Sequence, residues 1–246
     1  MAKEVIEKAD RISKRKDAYK KTKIVLSIVL TVLVLSFIIL SIIYKGGRFT
    51  VTLDKRLALD NKIIIYEDSI IKEGKRKLAA RDLDFMDNIS IDWIPANIDT
   101  EAEGSHNGEN YIAYTFYVEN EGEETVDYWY SVVIDDVIKN VDEAARVMVF
   151  LNGEKTVYAK INSYTKEEEE DTKKFFNKKN AVLEQRKNFA KGDVDKFTIV
   201  IWLEGDDPDC TDNILGGEIK MHMEIREEYD EENGQEDSKK TKKKKK

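Results

Sequence analysis

The chain has 246 residues, 41 Lys and Arg against 49 Asp and Glu, and a formal net charge of −8. That length leaves room for one or two folded domains, and a single cysteine, Cys210, excludes an intrachain disulfide. The charge is unevenly placed. Residues 1–23 hold nine basic and four acidic side chains and Lys239–Lys246 hold seven lysines; the remainder, 25 basic and 45 acidic residues in 45–238, carries a net of −20. A field of that sign repels polyanions, so no nucleic acid is expected as a partner of the middle of the chain.

The first predicted element is the basic tail 1–23. Its apolar residues Ala2, Val5, Ile6, Ala9 and Ile12 have helical spacing, which fits a helix lying on the inner leaflet or a frayed cytoplasmic stub. Ile24–Tyr44 follows, 21 residues with no charge. At about 1.5 Å rise per residue it crosses a hydrocarbon core of roughly 30 Å. A cleavable signal peptide competes, but the run is long for one and its exit, Ser41 to Gly47, lacks an A-x-A-like site. Eight Lys/Arg lie in residues 5–23 and five in 45–63. That bias predicts a single-pass cell-membrane protein with a cytoplasmic N-terminus and an extracellular C-terminal domain.

Beyond the span, strand patterns dominate. The windows are Phe49–Leu53, Lys62–Tyr66, Ile89–Ile94, Tyr111–Glu119, Thr125–Ile134, Ala145–Leu151, Lys155–Ile161, Asp195–Leu203 and Glu218–Ile225, rich in β-branched and aromatic residues. Glu119–Gly122 and Leu151–Glu154 place Asn and Gly where hairpins need positive φ. Phe197–Leu203 is apolar on both faces and reads as a central strand. Glu218–Arg226 alternates, with Ile219, Met221, Met223 and Ile225 on one face. Ile134, Val137, Ile138, Val141 and Ala145 have helical spacing and predict about three turns of helix. The expected domain, 45–228, is a mainly β, antiparallel, jelly-roll-like β-sandwich with one or two short helices. Residues 165–174 read as a loop or a solvated helix start, and 229–246 as a disordered tail, acidic and then Lys-rich.

The stretch Lys191–Cys210 with Gly216–Lys220, together with Tyr111–Asn120 and Thr125–Tyr130, resembles the ending of Firmicutes membrane-anchored surface proteins of unassigned function. More distantly the layout resembles the TasA/camelysin family of biofilm-matrix β-sandwiches. The resemblance implies a sandwich on a bacterial surface with a matrix role. The chain departs from TasA-type proteins in carrying an uncleaved anchor, which sets it apart from freely secreted fibre formers.

Motifs of catalysis are few. Of the two histidines, His106 lies in a loop and His222 on the polar face of its strand, and no H-E-x-x-H, phosphate-cradling loop or nucleophile elbow occurs. Carboxylates around Cys210 raise the cost of its thiolate. No catalytic residue is assigned. One loop has site chemistry: Asp206, Asp207, Asp209 and Asp212 cluster as oxygen donors for Ca²⁺, against a simple Asp-capped turn. Lys239, Lys240, Lys242, Lys243, Lys244, Lys245 and Lys246 form a cationic patch suited to a polyanion, teichoic acid or anionic headgroups. The leading expectation is a non-enzymatic, membrane-anchored surface protein of a Gram-positive bacterium with a structural, matrix or adhesion role, through self-association or a surface partner. A sensor ectodomain working with a membrane partner and a carboxylate-dependent glycan-acting enzyme are the alternatives.

Overall fold

The computed structural model describes residues 19–39, 48–83 and 85–229, which divide into two units between Gly47 and Arg48. The first unit contributes one helix, α1, Tyr19–Ile39, 21 residues with no residue buried. It starts five residues before the expected span, taking in Lys20, Lys21 and Lys23; the expected residues 40–44 lie outside the described ones. Thr31 Oγ1 donates to the Ser27 carbonyl at 2.9 Å, so its hydroxyl proton is satisfied within the helix, as an apolar surrounding demands.

The second unit begins with β1 (Thr50–Leu53), α2 (Lys55–Leu59), β2 (Ile63–Tyr66), β3 (Lys77–Ala79), β4 (Asn88–Ile89), α3 (Ile98–Glu101) and β5 (Gly104–Ser105). It continues with β6 (Tyr111–Asn120), β7 (Val126–Ile138), β8 (Ala145–Leu151), β9 (Glu154–Ala159), β10 (Lys173–Lys174), β11 (Asn180–Phe189), β12 (Val194–Glu204) and β13 (Glu218–Arg226). One sheet has the order β11-β7-β13-β1-β3 and the other β10-β9-β8-β12-β6-β2, with β4 on β12 and β5 on β6. Most pairs are antiparallel, but β1–β13, β9–β10 and β4–β12 are parallel, so the sheets are mixed rather than wholly antiparallel.

The main core lies between the sheets. Phe116 and Phe197 face each other in register on β6 and β12 and stack at 5.3 Å. Tyr130 of the opposite sheet meets Phe197 edge-on at 5.1 Å, an arrangement the ring quadrupoles favour. A second cluster, with Ala113, Met148, Val200 and Trp202, covers the outer face of the β12 sheet beneath Ile89, Ile94 and Ile98. β12 is therefore buried on both faces, as its sequence requires, whereas β13 keeps Lys220, His222, Glu224 and Arg226 on its outer face.

Several expectations are corrected. The helix over Ile134–Ala145 does not form; β7 runs to Ile138 and a 3₁₀ turn, Val141–Glu143, leads into β8. The helical spacing has another origin. A register shift opposite Lys220/Met221 leaves Asp135 out of the register, so the inward positions step from Ile134 to Val137. A bulge thus imitates an i, i+3 helix face. The window Ile89–Ile94 is a strand only at Asn88–Ile89 and then turns through a 3₁₀ segment, Ile91–Trp93, over the sheet. The turn at Asn152-Gly153 is the expected hairpin, with φ of 53 and 85°. Glu119–Gly122 is not a hairpin, because β6 and β7 lie in different sheets. Asn120 is wholly buried there, donating to the Glu124 and Phe189 carbonyls.

Because β1 and β13 are parallel, the chain enters the sandwich at one end and leaves at the other. Asp54 N bonds to the Ile225 carbonyl, and the six steps of chain from Arg48 to Asp54, at strand rise, measure about 20 Å. Beyond β13, Tyr229 is held by Trp129 and Phe176 at ring separations of 6.0 and 6.2 Å.

One buried ion pair ties the sheets. Asp195 of β12, 1% exposed, accepts from Arg186 Nε of β11, Tyr128 of β7 and Asn152 of the hairpin. Removing that carboxylate leaves Arg186 Nε and the buried Tyr128 phenol without their acceptor. Asp195→Ala is expected to lower stability by about 3 kcal/mol, against under about 0.5 kcal/mol for the exposed Glu154→Ala, read by urea unfolding of the full chain.

Candidate functional site

The acidic loop leaves β12 at Glu204, whose carboxylate accepts from Trp202 Nε1, Ile91 N and Asp206 N. This fixes the turn that follows and separates the four predicted aspartates. Asp206 and Asp212 face solvent, while Asp207 and Asp209 are 5% and 8% exposed. Asp207 Oδ1 accepts the Asp209 amide at 2.7 Å, an Asp-capped turn, and its Oδ2 takes Arg146 Nη2 of β8 at 2.5 Å. Arg146 points from the outer face of its strand under this loop and is itself 4% exposed. Asp209 accepts the Ser163 amide at 2.7 Å and the Ser163 hydroxyl. The loop after β9 is thereby fastened to the loop after β12.

That second loop supplies what the sequence did not reveal. Glu169, the third residue of the acidic run 167–171, brings an oxygen into a group with those of Asp207 and Asp209, all within 4.8 Å of one another. Its Oε1 is buried without a hydrogen-bond partner, the one such side-chain atom among the described residues. The donors are all oxygen, the set hard cations prefer. Glu169 and Arg146 lie far from the loop in sequence, and no local signal marks them. Cys210, at the rim, has its thiol pKa raised by burial and then by Asp207, so it is a poor nucleophile.

Other titratable groups are engaged. The His106 ring nitrogens lie 3.0 and 3.2 Å from the Gly104 and Ile98 carbonyls, which pins α3 to β5. Three phenols donate to carboxylates around β2 and β6: Tyr66 to Glu119, Tyr117 to Glu103, and Tyr114 to Glu67. Burial first, and then these carboxylates, raise all three phenols, Tyr117 to about 12. The lysines of 239–246 lie outside the described residues.

No family model and no curated protein matches the chain. Among solved structures, the chain is similar to a β-glucosidase from Kluyveromyces marxianus in complex with glucose, at 13% identity over 70% of this chain and 16% of that one, with a TM-score of 0.24. A selenomethionine form of β-glucosidase from the same organism aligns at 14% identity over 70% of this chain and 17% of that one, with a TM-score of 0.25. The chain spans under a fifth of either enzyme, and overlaps this low carry no argument about activity. What fold and site define is a mainly β domain of two packed sheets, preceded by a helix of membrane-span length, with a carboxylate cluster at one end.

His222 gives the outer face a pH dependence. It lies 2.8 Å from Asp135 and 3.1 Å from Glu224, which also takes Arg226. The Glu224 contact, outweighing burial, and then Asp135 raise its pKa above the ordinary imidazole value of about 6.5. Its contribution to stability is therefore complete below that value and is lost as pH rises through the higher folded pKa. With Asp135 half exposed, the effect is expected to stay below about 1 kcal/mol. His222→Gln should flatten the melting profile above pH about 6.5 and leave the acid limb in place.

Proposed function

We propose that the chain is a single-pass membrane protein that presents its acidic β-sandwich outside a Gram-positive cell, with a non-enzymatic structural or adhesive role. The observation that carries this reading is α1. Its 21 residues bury nothing within the protein, and from Ile24 to Ile39 it has no charged side chain, so it needs an apolar solvent. Lys20, Lys21 and Lys23 in its first turns, the surplus of basic residues before it, and the absence of a cleavage signal after it support a cytoplasmic N-terminus and a retained anchor. Protease applied to intact cells is expected to strip the sandwich from the membrane fraction. A domain degraded only after lysis would reverse the orientation, and a mature chain beginning near Lys45 would remove the anchor.

The partner proposed is an anionic polymer of the envelope, engaged by Lys239–Lys246. The chain enters the sandwich at Arg48 and leaves at the opposite end, where Tyr229 is held by Trp129 and Phe176. Each lysine contributes on the order of 1 kcal/mol near an anionic sheet, decaying over a Debye length of about 8 Å. The full chain is expected to bind purified wall in a salt-sensitive manner and a chain ending at Asp237 to bind much less. Equal binding by the two, or indifference to salt, would remove the tail as an electrostatic contact.

A further inference from the structure

We infer that Glu169, Asp207 and Asp209 hold a Ca²⁺ ion that clamps the loop after β9 to the loop after β12. Three carboxylates converge there, their oxygens within 4.8 Å of one another. Ligand oxygens around a single Ca²⁺ lie no more than about 5 Å apart, twice the Ca–O distance. One cation of the protein, Arg146, is bonded to the group, through Asp207 Oδ2. It offsets one charge of the three, so two negative charges stay together at a place where Asp207 and Asp209 are almost wholly removed from water. Burying such an excess is costly unless a cation or protons offset it.

The second observation is independent of the crowding. The Glu169 stem is partly exposed, but its Oε1 is buried and unpartnered among the described residues. By contrast, Asp207 and Asp209 accept from Arg146, the Asp209 amide, and the Ser163 amide and hydroxyl. A buried carboxylate oxygen without a donor among the described residues, on a side chain that reaches two further carboxylates, is placed as a metal ligand is placed. The donor set contains no nitrogen or sulfur, which favours a hard cation. Its carboxylates come from two irregular loops rather than an octahedral frame, which favours Ca²⁺ over Mg²⁺. Asp206 and Asp212 take no part.

Asp207 variants also break the pair with Arg146, so Glu169→Gln is the informative substitution: the Glu169 carboxylate has no hydrogen bond to lose at Oε1. Full-length chain in non-ionic detergent is titrated with Ca²⁺ by calorimetry and by thermal unfolding. One Ca²⁺ per chain is expected to bind with a Kd of about 0.1–1 mM, the range of weak extracellular modules. The melting temperature should rise by about 5 °C at about 10 mM Ca²⁺, and less with Mg²⁺. Glu169→Gln should weaken Ca²⁺ binding about tenfold or more and remove that rise, while melting no lower than the parent in EDTA. Asp206→Asn should bind as the parent does. No binding by the parent at about 10 mM, undiminished binding by Glu169→Gln, or a Mg²⁺ effect exceeding that of Ca²⁺ overturns the proposal. So does a Glu169→Gln variant destabilised equally in EDTA and in Ca²⁺, which would reduce the carboxylate to a packing role.

Discussion

The structure depends on one constraint, that β12 must be covered on both faces. Phe197, Ile199 and Ile201 point into the space between the sheets, and Val200 and Trp202 point outward. A two-layer sandwich satisfies only the first set. The second set forces a third layer, made of β4, α3 and the 3₁₀ segment between them, which lays Ile89, Ile94 and Ile98 over the outer face. Once that face is covered, any polar side chain on it loses water. Arg146 of β8, opposite Trp202 in register, is such a residue. Its burial requires a carboxylate, which Asp207 supplies, and the Asp207 turn brings Asp209 and then Ser163 and Glu169 into place. The carboxylate cluster is thus a consequence of how the sheet is covered.

Much of this architecture is legible in the sequence because a strand with one wet face announces itself by alternation. β13 does so in Met221, Met223 and Ile225, and the Asn152-Gly153 turn specifies its hairpin through positive φ. Legibility fails where alternation is broken or faint. At Asp135 a bulge shifts the phase of β7 and produces a helical spacing. In β11, the run Glu184-Gln185-Arg186-Lys187-Asn188 conceals a strand whose inward positions are partly polar. Glu184 there meets Tyr158 and Lys173, and Arg186 meets Asp195, so the period-2 pattern is written in hydrogen bonds rather than hydrophobicity. The site divides the same way. Asp207 and Asp209 belong to a visibly acidic loop, but which aspartates turn inward is decided by Glu204 and Arg146, which act across the fold.

A domain with so large an acidic excess handles its packed carboxylates by giving them donors. Asp195 has Arg186, Tyr128 and Asn152. Asp207 has Arg146. Glu67, Glu103 and Glu119 have tyrosines, and Lys72 adds its charge at Glu119. Neutral phenols serve as donors where cations are scarce, and the Tyr117–Glu103 and Tyr114–Glu67 pairs also anchor loops to the β2–β6 edge. Against that pattern Oε1 of Glu169 stands out, because among the described residues the fold that satisfies its neighbours leaves it with none.

The edges of the sheets bear on how such a domain meets other molecules. β11 is the longest edge strand, and an open strand of ten residues invites pairing with a second chain. Yet its pairing with β7 is irregular on both sides of its middle, and the middle carries Glu184, Arg186 and Lys187, with Arg186 already committed to Asp193 and Asp195. An added strand would have to straighten those bulges and desolvate these charges, both of which oppose pairing. On the other sheet, β10 pairs with β9 at Tyr158 and Ala159 and leaves Glu154–Val157 without a neighbour on that side, too short a stretch to template a fibre. Strand addition is therefore poorly served by this sandwich. On the proposed readings the contacts it makes are electrostatic, with a cation held by its inward carboxylates and with anions gathered by the lysines beyond Tyr229.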